Sequence, residues 1–99
     1  MKIEYRTVGV KYSQALFELE KKCFGDPWPE QMFIDSLSSK YTQAIGAFHE
    51  DRLVGYIMWI FVGDCFEILN VATEPDMRRR GIARRMIELL SGYAAESGI

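Results

Sequence analysis

The stretch Glu67–Leu90, E-I-L-N-V-A-T-E-P-D-M-R-R-R-G-I-A-R-R-M-I-E-L-L, decides the fold, because it reads in turn as strand, loop and helix. Phe66, Ile68, Leu69, Val71 and Ala72 make an apolar run with little room for polar side chains, the pattern of a strand covered on both faces. Glu74, Pro75 and Asp76 close it, since proline cannot donate to a ladder and acidic turn residues favour leaving one. From Ile82 onward the apolar positions are Ile82, Met86, Leu89, Leu90 and Tyr93, with Ala83, Ile87 and Ala94 beside them, a spacing that makes one helical face. Arg78, Arg79, Arg80 and Gly81 lie between strand and helix.

That junction has a use in physical chemistry. The first turn of a helix carries unpaired backbone N–H groups and the positive end of the helix dipole, so the loop feeding it can hold phosphate. Gly81 removes a side chain where an anion approaches the backbone, and Ala83 keeps the next turn small. Arginines 78, 79, 80, 84 and 85 supply forks that bind phosphate bidentately, which makes a pyrophosphate the natural ligand. The alternative is an ordinary solvated helix start with a basic exposed face.

Arg78-x-x-Gly81-x-Ala83, following a strand that ends Leu69-Asn70-Val71-Ala72-Thr73, resembles the acetyl-CoA-binding motif of the GCN5-related N-acetyltransferases (GNAT). The pattern gains its specificity from the strand before it and the amphipathic helix after it. Cys23-Phe24-Gly25-Asp26-Pro27-Trp28-Pro29-Glu30-Gln31-Met32-Phe33 is similar to a segment of the RimI-like branch, the ribosomal-protein-alanine acetyltransferases. The resemblance implies that Val71, Ala72, Thr73, Arg78, Arg79, Arg80, Gly81, Ile82, Ala83 and Arg84 bind acetyl-CoA. The resemblance runs from residue 3 to 99 and covers the first two thirds of the family's domain, which implies that residues 1–99 are a single incomplete domain. The family's next strand, a helix and two more strands, with their catalytic glutamate, asparagine and tyrosine, would fall beyond residue 99.

Composition agrees with one small domain. A chain of 99 residues buries roughly 60% of its unfolded surface or a little more. Hydrophobic content of 48% and charged content of 26% are those of a water-soluble globular protein. A net charge of −2 argues against broad nucleic-acid binding and makes the arginine cluster a local feature. Two cysteines, Cys23 and Cys65, with no C-x-x-C pair, suit a reducing cytoplasm, make a metal site unexpected and read as small core residues. No apolar run approaches the ~20 residues of a membrane helix, so no membrane partner is expected.

In chain order, Ile3, Tyr5 and Thr7 alternate with Glu4 and Arg6 as a first strand broken by Gly9. Tyr12, Leu16, Leu19 and Cys23 follow helical spacing. Gly25-Asp26-Pro27-Trp28-Pro29 interrupts, with Pro29 suited to the first position of a second helix carrying Met32, Phe33, Ile34 and Leu37. Three strands, Gln43 to Phe48, Leu53 to Val62 and Cys65 to Thr73, are joined by hairpins at His49–Arg52 and Gly63–Asp64 into an antiparallel meander. The last helix is expected to end near Ser97 with Gly98 as its cap. The fold class is therefore α/β in its mixed α+β form, in the order strand, two helices, three strands, helix.

The chemistry that the resemblance implies is acetyl transfer from acetyl-CoA to a protein N-terminal α-amine, the N-terminal alanine of a ribosomal protein. Amides of the strand carrying Val71 would polarise the thioester carbonyl. Glu67 is the only carboxylate of that strand, and strict alternation puts Glu67, Leu69 and Val71 on one face. It is either a water-mediated base or a sheet-surface residue. Phe24 and Trp28 either shape the acceptor groove or plug the turn beneath them. His49 reads as a solvated turn residue. Two other functions fit the same residues: a coenzyme A-binding module without catalysis, and an interaction protein that self-associates through an open sheet edge.

Overall fold

The computed structural model describes residues 1–96. Strand β1 (Glu4–Thr7) is followed by a 3-10 turn at Val10–Tyr12 and helices α1 (Ser13–Cys23) and α2 (Glu30–Leu37). Strands β2 (Thr42–His49), β3 (Arg52–Val62) and β4 (Cys65–Thr73) come next, then a 3-10 turn at Pro75–Met77 and helix α3 (Ile82–Glu96). The expected order holds throughout; the helix end expected near Ser97 and Gly98 lies outside the described residues.

The strands form one antiparallel sheet in the order β1-β2-β3-β4. Both hairpins are tight. Glu50 and Asp51 turn β2 into β3 with φ of 52° and 66°, the mirror-image geometry that matches strand twist. Gly63 opens the next turn at φ 63°.

Each face of the sheet takes its own helices. Leu16 and Leu19 of α1 and Phe33 of α2 pack with Phe48, Tyr56 and Met58 on one face. Gly46 belongs to this face, where a Cβ would come within 2.9 Å of side-chain atoms of Leu53, Phe48 and Val8. On the other face Ile82, Met86 and Leu90 of α3 meet Ile45, Val54, Ile57 and Trp59. Ile82, Met86, Leu90 and Ala94 recur every fourth residue, so one stripe of α3 is buried. Each of the three large ones contributes roughly 1.5–3 kcal/mol by leaving water. Tyr93, placed on the same face by periodicity, drifts off the stripe and is 40% exposed, although its ring still reaches Trp59 at 5.9 Å.

Three expectations are corrected. Pro29 is not the first residue of α2 but the residue before it: its ψ of 154° is extended, outside the helical range, while its carbonyl accepts from the Met32 N–H at 3.0 Å. Cys65 is exposed rather than a core residue, since it starts β4 at the hairpin end that overhangs β2. Finally, β4 is not covered on both faces: among the described residues it pairs with β3 alone, and only Ala72 of its residues is fully buried. Its apolar run therefore leaves Ile68 46% exposed.

A register shift marks β4. Met58 pairs with Asn70 and Trp59 with Ile68, so Leu69 is an extra residue opposite that step. The bulge resets the alternation of the strand. Asn70 shares a face with Met58 and Val71 with Ile57, whereas Glu67 pairs with Ile60 on the α1 side.

Candidate functional site

The end of β4 is pinned from several directions. The Glu74 main-chain N–H donates to the Val54 carbonyl at 2.7 Å. The buried Glu74 carboxylate lies 3.3 Å from Lys22 Nζ and 3.9 Å from Arg52 Nη1. The Thr73 carbonyl accepts from Cys23 Sγ at 3.3 Å and from Arg78 Nε at 3.2 Å. Cys23 thus ties α1 to the strand end.

Beyond that anchor the backbone curls twice into the left-handed region, at Arg79 (φ 66°) and Gly81 (φ 79°). A Cβ on Gly81 would meet nothing within 4 Å, so backbone conformation rather than crowding by the protein asks for glycine here. The Arg85 N–H donates to the Gly81 carbonyl at 3.0 Å. As the opening bond of α3, it leaves the N–H groups of Ile82, Ala83 and Arg84 without helical acceptors, at the positive end of the dipole. Arg79, Arg80, Arg84 and Arg85 stand exposed around them, Arg85 with Glu88 at 3.8 Å. Open space before Gly81, free amides and guanidinium forks fit a pyrophosphate. The Ile82 side chain is buried against the sheet, so only its backbone can face a ligand; Ala83 is half-buried.

On the α1 side of the sheet lies a feature that sequence reasoning missed. Glu20, 1% exposed, accepts three hydrogen bonds. The Tyr56 hydroxyl and Asn70 Nδ2 donate to its Oε1 at 2.5 and 2.6 Å, and the Trp28 main-chain N–H donates to Oε2 at 2.8 Å. Asn70 Nδ2 also approaches the Tyr56 hydroxyl at 2.9 Å. One carboxylate thereby joins α1, the α1–α2 turn, β3 and β4. The available signal was a charge on the apolar stripe Leu16, Leu19, Cys23.

Next to this network is an open hollow of about 310 Å³ lined by Glu20, Phe24, Gly25, Asp26, Trp28 and Asn70. Phe24 is exposed at its rim, and the half-buried Trp28 packs on Phe33 at 5.3 Å between ring centroids. The structure therefore brings Phe24 and Trp28 to one cavity. It does not bring Glu67 to Val71. Glu67 is exposed and, because of the bulge, on the opposite face from Val71, which corrects the expectation from strict alternation. The Val71 N–H is engaged by Asn70 Oδ1 at 3.0 Å, so it is free for a ligand only if Asn70 turns away. His49 is half-buried, 4.0 Å from the Glu50 carboxylate.

Burial, and then the hydrogen bond and charge of Glu20, push the Tyr56 pKa far above its usual value. Tyr56 is thus a neutral donor in the folded state. An unfolded chain would ionise it near pH ~10, so the stability it contributes is complete below that pH and falls as pH rises above it. Tyr5 acts in the same direction, its pKa raised by burial against the opposing charge of Arg85. We expect Tyr56→Phe to unfold about 1–3 kcal/mol more easily at neutral pH, because Glu20 loses a donor. Urea midpoints measured from pH 7 to 11 should show a shallower alkaline decline in the variant; parallel declines would contradict this account.

Among the described residues no three or more His, Cys, Asp or Glu side chains gather as metal ligands, and no helix is long and apolar enough to cross a membrane.

Residues 13–99 match the model of the acetyltransferase (GNAT) family. The [ribosomal protein bS18]-alanine N-acetyltransferase of Salmonella typhimurium is 28% identical over 85 residues, which cover 86% of this chain and 57% of that protein. The ribosomal-protein-S18-alanine N-acetyltransferase structure from Escherichia coli superposes with a TM-score of 0.92 at 18% identity, over 99% of this chain and 63% of that one. The PaiA N-acetyltransferase of Thermoplasma acidophilum, in complex with coenzyme A, gives 0.89 at 16% identity, over 100% of this chain and 76% of that one. This chain belongs to the GNAT family, and it spans a little over half the length of the Salmonella relative.

Proposed function

We propose, from that membership, that the chain serves cytoplasmic N-acetylation, acetyl-CoA being the donor and a protein N-terminal α-amine the acceptor. The N-terminal alanine of a ribosomal protein is the acceptor suggested by the Salmonella relative's name. One observation carries this reading. Residues 70–73 of β4 join the two halves of the site: Asn70 lines the hollow, and the Thr73 carbonyl anchors the arginine–glycine loop. Three residues of strand span about 10 Å, a distance that a donor anchored by its pyrophosphate can bridge.

In this reading Gly81 and the amides of Ile82, Ala83 and Arg84 bind pyrophosphate, with Arg78, Arg79 and Arg80 around them. Val71, Ala72 and Thr73 line the donor's path along β4, and Phe24 and Trp28 wall the acceptor side. When bound, acetyl-CoA supplies an activated acetyl thioester. An α-amine titrates near pH ~8, so a useful fraction is already neutral and nucleophilic at cytoplasmic pH. Self-association through the edge of β4 that has no strand partner among the described residues belongs to the same reading.

The test is incubation of the chain with acetyl-CoA and a peptide beginning with alanine, followed by mass spectrometry of the peptide. Acetylated peptide, absent when the N-terminus is blocked and reduced at least about tenfold by the Arg79→Ala/Arg80→Ala double variant, is the expected result. Acetyl-CoA binding without product would favour the second reading, a coenzyme A-binding module. The position of Glu67, away from Val71 and exposed, supports that alternative.

A further inference from the structure

Glu20 lacks the partner that buried charge ordinarily has. Its three hydrogen bonds come from neutral donors, Tyr56, Asn70 and the Trp28 main chain. Among the described residues no Lys or Arg pairs with it. The two lysines that follow it are engaged elsewhere, Lys21 with Glu18 at 3.1 Å and Lys22 with Glu74 at 3.3 Å. Its place in the last turn of α1 adds the negative end of the helix dipole. Charged carboxylates are rarely buried without a cation, and desolvation makes such a site attract one strongly.

The hollow in front of Glu20 offers that cation a place. An ionised carboxylate has about four lone-pair positions, and three are occupied here. Phe24 and Trp28 present aromatic surface, which attracts cations and tolerates a small apolar substituent beside them. The exposed Asp26 at the rim adds a second negative charge. Of the other titratable groups around the network, the Tyr56 hydroxyl bonds Glu20 from β3 and Cys23 lies beside Tyr56, and neither is cationic.

We infer that Glu20 is a specificity-determining residue, the buried counter-charge that selects an acceptor carrying a free N-terminal ammonium group and holds that charged form in the hollow. The inference rests on the acetyltransferase reading for the word acceptor, but it is a statement about binding and can be tested without turnover. Glu20 does not take the proton here. It sets which ligand enters and in what charge state.

The experiment is a titration of the 99-residue chain, followed by NMR of the Trp28 main-chain N–H and the Asn70 side-chain amide, with alanyl-alanine amide and its N-acetylated form as probes. The free-amine peptide is expected to shift both signals saturably at pH 7 and the acetylated one to bind at least tenfold more weakly. Affinity for the free amine should fall about tenfold or more by pH 9.5, as a group titrating near ~8 loses its proton. Glu20→Gln should lose the preference for the free amine while acetyl-CoA affinity, measured by calorimetry, stays within twofold. If Glu20→Gln does not fold by circular dichroism, the pH series on the unaltered chain decides alone. Equal binding of both peptides, binding of neither, affinity flat from pH 7 to 9.5, or a folded Glu20→Gln with its preference intact would each overturn the assignment. Failure of the unaltered chain to bind acetyl-CoA while it still selects the free-amine peptide would count against the acetyltransferase reading only.

Discussion

Gly81→Glu is expected to weaken acetyl-CoA binding at least tenfold in a calorimetric titration, which corresponds to about 1.4 kcal/mol or more. Two effects act together. At φ 79° any residue with a Cβ is strained by roughly 1–2 kcal/mol, so the loop is pushed away from the conformation that feeds α3. The new carboxylate would also compete for the free amides of Ile82, Ala83 and Arg84 and for the surrounding guanidinium groups, occupying the place of the pyrophosphate. Gly81→Ala separates the two. Its methyl group meets nothing within 4 Å, so it reports backbone strain alone: about 1 kcal/mol of folding stability, with affinity changed less than threefold. Equal affinities for the Ala and Glu variants would mean that the Gly81 loop does not hold the cofactor.

Phe33→Ala should remove about 3–5 kcal/mol of stability. That is a large fraction of the roughly 5–15 kcal/mol available to a chain of this length. Phe33 is fully buried, meets the Tyr56 ring edge-on at 5.9 Å and stacks obliquely on Trp28 at 5.3 Å. It therefore fastens α2 to the sheet and supports the wall of the hollow from below. The urea midpoint should fall with little change in the denaturant slope. Met32→Ala, one residue away and 43% exposed, is the control and should cost less than about 0.5 kcal/mol. A Phe33 variant no less stable than the Met32 variant would show that α2 is not held through this ring.

The glycine and the phenylalanine differ in how far the sequence foretold them. Gly81 stood out in print, because a glycine between three arginines and an amphipathic run has a local meaning. Phe33 was visible as one apolar residue of a short helix, but not as the ring joining Trp28 to Tyr56. Glu20 showed only as a charge beside the apolar stripe of α1, with nothing local to say that it is buried. A charge in a helix is ordinarily solvated, and what buries this one comes from residues 8, 36 and 50 positions away.

Element order, both hairpins, the Ile82, Met86, Leu90 and Ala94 stripe of α3, though not Tyr93, and the arginine–glycine loop before that helix were determined by the sequence alone, because each depends on neighbours within a few positions: a side-chain period, a turn residue, an unpaired first turn. Only the tertiary structure decided the rest. The bulge at Leu69, set by pairing with β3, turned Glu67 away from Val71. The sheet order left β4 with pairing on one side among the described residues. The convergence of α1, β3 and β4 buried Glu20 beside the hollow. Register and burial are relations between distant segments, so strand alternation and helical periodicity, which describe one segment at a time, cannot state them.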